Sequence, residues 1–174
     1  PTCGAKPRTR ALAQIFAQLR ETPFWPLHSV LEVGPSKVNA LKLATTQHLG
    51  SADYTAIDLK ISNFQKELSG SRKFLTMDAT RMTFATGEFD LCLCNHVLPF
   101  IREDRLVLSE IRRVLKLDGL AILNVPLQPG PTLTAAQKKN LEPNLSEDFF
   151  IENGTEWYYG DDYFERLATA GFDS

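Results

Sequence analysis

Cysteine is scarce in this sequence, with three in 174 residues, and long apolar runs are missing altogether. The cysteines are odd in number, and Cys92 and Cys94 sit two apart in an apolar segment. Residues two apart on a strand share a face, and such close neighbours are poorly placed to bridge. A disulfide framework is therefore excluded. Free buried thiols in a reducing compartment are expected, which places the protein in the cytoplasm. Cys3 stands alone, and one cysteine cannot build a tetrahedral zinc site, so no metal is expected. No stretch approaches the roughly 20 apolar residues of a spanning helix, so no membrane is expected. The basic opening "PTCGAKPRTR" is followed by no apolar core, so no secretory leader is expected. An excess of one charge is also missing, with 19 basic against 21 acidic residues. A domain built mainly to bind nucleic acid is thereby disfavoured.

What is present is an ordinary apolar fraction of 43%, enough for one domain with a real core. Residues 1–27 read as an N-terminal helix and linker. The stripe Leu12, Ile15, Phe16, Leu19 predicts a helix over Arg8–Glu21, which Pro23 and Pro26 end. A strand follows at Ser29–Val33, then a helical stretch over 39–50 closed by Gly50. Further strands are expected at 53–58, 73–78, 88–95 and 120–126, with a loop at 62–72. Between the last two strands lies a helix from Arg102 to Gly119. Glu103 and Asp104 at its start and Arg112, Arg113 and Lys116 towards its end suit the helix dipole. Residues 127–160 read as an irregular insertion covering a substrate site. A final helix runs over 161–172, capped by Asp161 or Asp162 and ended by Gly171. Strand 88–95 is apolar on both faces, as strands of covered parallel sheets are. The fold class is therefore α/β, a doubly wound and mainly parallel sheet in a three-layer α/β/α sandwich.

In such sheets ligands bind beyond the carboxyl ends of the strands. Those ends carry Glu32 and Gly34, Asp58, Asp78, and Asn95 with His96. Each has a bland reading: a turn glycine, a turn or cap aspartate, a hydrogen-bonded structural histidine. Their order carries the argument. A carboxylate about 20 residues past the glycine turn can accept from a ribose diol, which suits Asp58. Asp78 can accept from an adenine amine, with Ala79 beside the ring. Glu32 can meet an ammonium group, directly or through water. The turn reads Gly34-Pro35-Ser36, without the later glycines a pyrophosphate needs. Proline removes a further N–H donor. Ribose, adenine and ammonium without phosphate describe S-adenosylmethionine.

The segments "VLEVGPS", "YTAIDL", "MDATRMTFATGEFDLCLCNHVLPFI", "LSEIRRVLKLDGLAILNVPL" and "YYGDDYFERLATAGF" resemble the class I S-adenosylmethionine-dependent methyltransferases. The resemblance is to small bacterial members of the methyltransferase type 11 group and covers about Val30–Phe172. It implies the Rossmann-like methyltransferase fold, here lacking its final strands. It places Glu32, Gly34, Pro35 and Ser36 at the methionine part of the cofactor. It places Asp58 at the ribose, Leu59 near the adenine and Asp78 with Ala79 at the adenine edge. Asn95, His96 and Val97 would line the floor beside the methyl group. The implied activity is methyl transfer to a small-molecule acceptor, with S-adenosylhomocysteine as product.

Methyl transfer from a sulfonium needs positioning and a dry site, and a base only if the nucleophile starts protonated. His96 is the titratable candidate for that base. Tyr158, Tyr159, Trp157 and Phe149 of the insertion either cover the substrate or pack on the sheet edge. Arg112 and Arg113 read as a solvated helix end. The rival readings are a catalytically inactive methyltransferase-like binding or scaffold protein and a nicotinamide oxidoreductase. The missing glycines disfavour the last.

Overall fold

The computed structural model describes residues 7–35, 49, 52–60, 73–142 and 154–173. The expectations for Cys3, for Ser36, for the helix over 39–50 apart from Leu49, for the loop at 62–72 and for Phe149 lie outside the described residues.

Helix α1 spans Pro7–Leu19 and buries Leu12 and Phe16. Strands β1 (Ser29–Val33), β2 (Asp53–Asp58), β3 (Lys73–Thr76), β4 (Phe89–Asn95) and β5 (Leu115–Asn124) form one sheet in the order β3-β2-β1-β4-β5. Every pairing in it is parallel. The chain winds outward from β1 to β3, then returns to β4 on the other side of β1. The switch point therefore lies between β1 and β4.

Alternation along the strands feeds two cores. Val30, Tyr54, Ala56, Leu91 and Leu93 face α1, with Leu12, Phe16 and Leu27 against them. Leu31, Val33, Ile57, Cys92 and Cys94 face the other way. There they meet helix α2 (Asp104–Val114) through Val107, Leu108 and Ile111, and helix α4 (Tyr163–Thr169) through Tyr163 and Leu167. Two covered faces explain why β4 is apolar on both sides from Leu91 to Cys94. Both thiols are free and fully buried. Burial pushes Cys94 up to about 12 and Cys92 well above the ordinary thiol value. Both should resist iodoacetamide in the native protein and react only on unfolding, because the thiolate is the nucleophile. Peptide mapping of alkylation in buffer and in urea checks this; labelling of either residue in the native state contradicts it.

The helix expected to run to Gly119 ends at Val114. Leu115 turns extended and pairs with Phe89. The carbonyls of Arg113 and Val114 accept from Gly87 N–H at 3.0 Å and Glu88 N–H at 2.8 Å instead of continuing the helix. Lys116 thus sits on β5, where its ammonium meets Asp90 at 2.6 Å. Asp90 also accepts from His28 N–H, Ser29 N–H and the Ser29 hydroxyl. Partial burial opposes its ionisation, yet these donors and Lys116 hold the carboxyl down to about 2. The clasp ties the lower ends of β1, β4 and β5 together.

The described residues of the insertion carry regular structure that its irregular sequence does not announce. Leu133–Thr134 (β6) pairs antiparallel with Trp157–Tyr158 (β7), and helix α3 spans Ala135–Leu141. Thr134 and Gln137 cap α3 reciprocally, a capping box. Asp161 and Asp162 do not cap the last helix with their side chains. Asp161 accepts from Gly130 N–H, and Asp162 from the N–H and hydroxyl of Thr132. They hold the 130–132 turn against α4.

Candidate functional site

The strand register sets the polar residues on one rim. Val33 lies level with Ile57 on β2 and with Cys94 on β4. The next residue on each strand is Gly34, Asp58 and Asn95. Asp58 lies level with Thr76, two residues before Asp78, and Asn95 with Asn124. Of the sequence-predicted residues, Gly34, Asp58 and Asn95 are thus brought to the carboxyl edge of adjacent strands, with Asp78 just past the end of β3.

Gly34 has φ +63°, and a Cβ built there would lie 2.5 Å from Val97 Cγ2. Its N–H donates to Ile57 O at 2.8 Å. The glycine is therefore required both by its backbone and by the close approach of Val97. Pro35 is buried beside it. Asp58 is half-buried and accepts from Lys60 N–H at 3.2 Å. Leu59 next to it is 72% exposed, an apolar side chain held at the rim. Asp78 accepts from Thr80 N–H at 2.9 Å and the Thr80 hydroxyl at 2.8 Å, which hold its carboxyl below the usual range. Ala79 is buried in the larger core.

Glu32 lies two residues below the rim, 2% exposed, and accepts from the Tyr54 hydroxyl. Burial raises its carboxyl from the ordinary 4.5 to about 7, against the lowering effect of Tyr54. A carboxyl whose folded pKa is raised binds its proton more tightly in the native state. Stability is then full below about pH 4.5 and falls as pH rises to about 7, by a total on the order of 3 kcal/mol. Glu32→Gln stays neutral and should lack this decline. Urea unfolding of both proteins across that window tests it; equal pH slopes would count against a buried, titrating Glu32.

Asn95 accepts from Asn124 Nδ2 at 3.2 Å, while its own Nδ2 is buried without a partner. His96 follows with φ +60°, and its N–H donates to Asn124 O at 2.7 Å. A non-glycine residue in the left-handed region is a strained position of the kind that clusters at functional sites.

Beyond His96 lies a cavity of about 160 Å³, walled by Pro99, Phe100, Pro126, Trp157 and Tyr158. Trp157 and Tyr158 of the insertion thus stand against the β4 end of the rim. Its aromatics divide the work. Trp157 and Tyr158 face the cavity, and the Trp157 indole N–H donates to Ile101 O and Arg102 O, each at 3.1 Å. Tyr159 is buried, and its hydroxyl donates to Asp104 at 2.9 Å. Burial, with Asp104 beside it, pushes the Tyr159 hydroxyl above its ordinary value. Asp104 also pairs with Arg166 at 2.6 Å, and the Arg166 guanidinium lies 4.8 Å over the Trp157 ring. In sequence Asp104 looks like one more acid at a helix start, and nothing there signals this cluster.

Arg112 and Arg113 are not a merely solvated end. Arg113 donates to Phe84 O and Met82 O, and Arg112 to Gly171 O. Among the described residues no three His, Cys, Asp or Glu side chains gather as a metal site would require, and no helix is long and apolar enough to cross a membrane.

Residues 31–123 match the family model described as a methyltransferase domain. Solved structures share the fold at low identity. One is the Burkholderia thailandensis 1,6-didemethyltoxoflavin-N1-methyltransferase, with bound 1,6-didemethyltoxoflavin and S-adenosylhomocysteine. It is 18% identical with TM-score 0.66 over 95% of this chain and 68% of that one. Another is a phosphoethanolamine N-methyltransferase 2 of Haemonchus contortus, in complex with phosphomonomethylethanolamine and S-adenosylhomocysteine. It is 19% identical with TM-score 0.63 over 92% of this chain and 37% of that one. A third is the cyclase SpnF, 20% identical with TM-score 0.64 over 94% of this chain and 58% of that one. Among the curated proteins nothing matches significantly. At such identities these structures show a shared Rossmann-like architecture and leave the chemistry to the site.

Proposed function

Because the chain belongs to the methyltransferase-domain family, its model covering more than half of the sequence, we propose that the protein binds S-adenosylmethionine and transfers its methyl group to a small acceptor. The observation that carries this reading is the rim itself: Gly34, Asp58 and Asn95 on one level, with Asp78 beyond β3. The residues fit the group. Asp58 offers a carboxylate for two ribose hydroxyls, and exposed Leu59 beside it offers apolar surface for adenine. Asp78 and Ala79 stand at the adenine edge. The buried, unpartnered Nδ2 of Asn95 is a donor awaiting an acceptor. Gly34 and Pro35, followed by Ser36, give a turn with one glycine, suited to a methionine tail and poor for a pyrophosphate. Glu32, held by Tyr54, supports that turn from beneath.

When bound, the cofactor supplies a methyl group already activated as a sulfonium. The chain then has to position, orient and exclude water. The insertion closes over the rim at the cavity beside His96, and Val97 fixes His96 relative to the glycine turn through its contact with Gly34. His96 is the residue placed to accept a proton from an acceptor that starts protonated.

Calorimetric titration with S-adenosylmethionine and S-adenosylhomocysteine, with NADH as control, tests the reading. Micromolar binding of the first two is expected. Asp58→Ala should weaken it by roughly a hundredfold or more, the loss of two hydrogen bonds to a charged group. A folded protein that takes up neither compound would be an inactive relative that has kept only the fold.

A further inference from the structure

The cavity beside His96 points to an acceptor class, and this inference rests on the reading just given. We propose that the cavity takes a neutral or anionic aromatic ring, of the phenol type, and rejects an ammonium group.

Size comes first. At about 160 Å³ the space suits one six-membered ring, since an apolar cavity of about 150 Å³ holds benzene. Besides His96 and Thr155 the walls are Phe100, Trp157 and Tyr158 with Pro99 and Pro126, surfaces that pack ring against ring.

Charge then decides between two ligands that aromatic walls can hold. An aromatic cage attracts a methylated ammonium through the negative faces of its rings. Here two of those rings already serve cations of the protein itself. The Arg166 guanidinium lies 4.8 Å from the Trp157 ring centre, and the Lys138 ammonium 5.7 Å from that of Tyr158. Each cation draws electron density towards itself and leaves the other ring face less attractive to a second cation. The carboxylates that balance them stand elsewhere: Asp104 pairs with Arg166 at 2.6 Å, and Glu142 with Lys138 at 2.7 Å. Among the described residues no carboxylate lines the cavity. Among the described residues an ammonium there would meet no counter-charge, and burying it unpaired is costly. An electron-rich ring or a phenolate meets the opposite situation, packing against rings that each already face a cation of the protein, with His96 lining the same cavity.

Lys138 is held by three contacts, which makes its placement over Tyr158 a built feature. Its ammonium also donates to Gln128 Oε1 at 3.0 Å, and α3 that carries it begins in a complete capping box.

The test is ligand-detected NMR and calorimetry on the full chain with two probes, phenol and tetramethylammonium. Phenol should bind and tetramethylammonium should not. Phe100→Ala, at a side chain about half exposed and so tolerated by the fold, should weaken phenol several-fold. Lys138→Met should narrow the preference for phenol over tetramethylammonium. Equal or stronger binding of tetramethylammonium overturns the proposal, as does phenol binding indifferent to Phe100→Ala. Binding of neither probe, with S-adenosylhomocysteine still taken up, overturns the acceptor class alone. Failure of S-adenosylhomocysteine as well overturns the methyltransferase reading and this inference with it.

Discussion

Arg166→Met is expected to lower folding stability by about 3–5 kcal/mol, the cost of leaving one charge of a buried pair without its partner. Asp104 is 2% exposed and is left with the Tyr159 hydroxyl alone once the guanidinium at 2.6 Å is gone. The same guanidinium stacks on Trp157, so the change also removes a cation–π contact and loosens the cavity wall. The urea midpoint should fall with little change in slope. The pair itself need not be worth that much. Replacing both members with apolar residues is often neutral, because the desolvation of both charges disappears together. Arg166→Met combined with Asp104→Leu should therefore be clearly more stable than Arg166→Met alone. A double variant as weak as the sum of its singles would show that Asp104 and Arg166 do not act as a pair.

Gly34→Ala is the second large effect, at about 2–5 kcal/mol. A side chain at φ +63° costs about 1–2 kcal/mol by itself. The added methyl then meets Val97 Cγ2 at 2.5 Å. Valine is stiff about χ1, so relief requires the backbone after β4 to move, at the 1–3 kcal/mol typical of overpacking. That backbone carries His96. The variant should thus lose affinity for S-adenosylhomocysteine beyond what its stability loss explains. Val97→Ala in the same chain removes the clash and leaves the backbone term. Coupling of about 1–3 kcal/mol between the two changes is expected from a double-mutant cycle. Strict additivity would remove the contact from the account.

Strands β1, β2 and β4 were legible because burial on two faces favours mostly apolar runs. Ser29–Val33 and Asp53–Asp58 match the observed β1 and β2 residue for residue. Their polar ends were legible for the same reason: a residue that closes an apolar run stands at the sheet edge. The end of α2 was not. Val114, Leu115 and Leu117 continue a plausible helical stripe, and only the Gly87 and Glu88 donors, which meet the carbonyls of Arg113 and Val114, end it there. Nor was the Asp104–Tyr159–Arg166 cluster, whose members come from three elements brought together by the fold. The insertion looked irregular because two-residue strands are too short to show a period. Val97 escaped as a wall for Gly34 because contact between successive strand ends depends on register, which no single segment contains.

The position of the switch point has a kinetic consequence. Ser29 meets Asp53 on one side of β1, but Val30 meets Leu91 on the other, across a much longer loop. Closing the longer loop costs more chain entropy, and contacts of high sequence separation slow assembly. The proposed ligand cleft straddles that seam. A chain that has joined β1 to β2 alone owns half a cleft and has nothing to bind with. Occupancy would then reward only the fully assembled sheet, so ligand would act on unfolding of the whole domain and leave partly formed intermediates without protection.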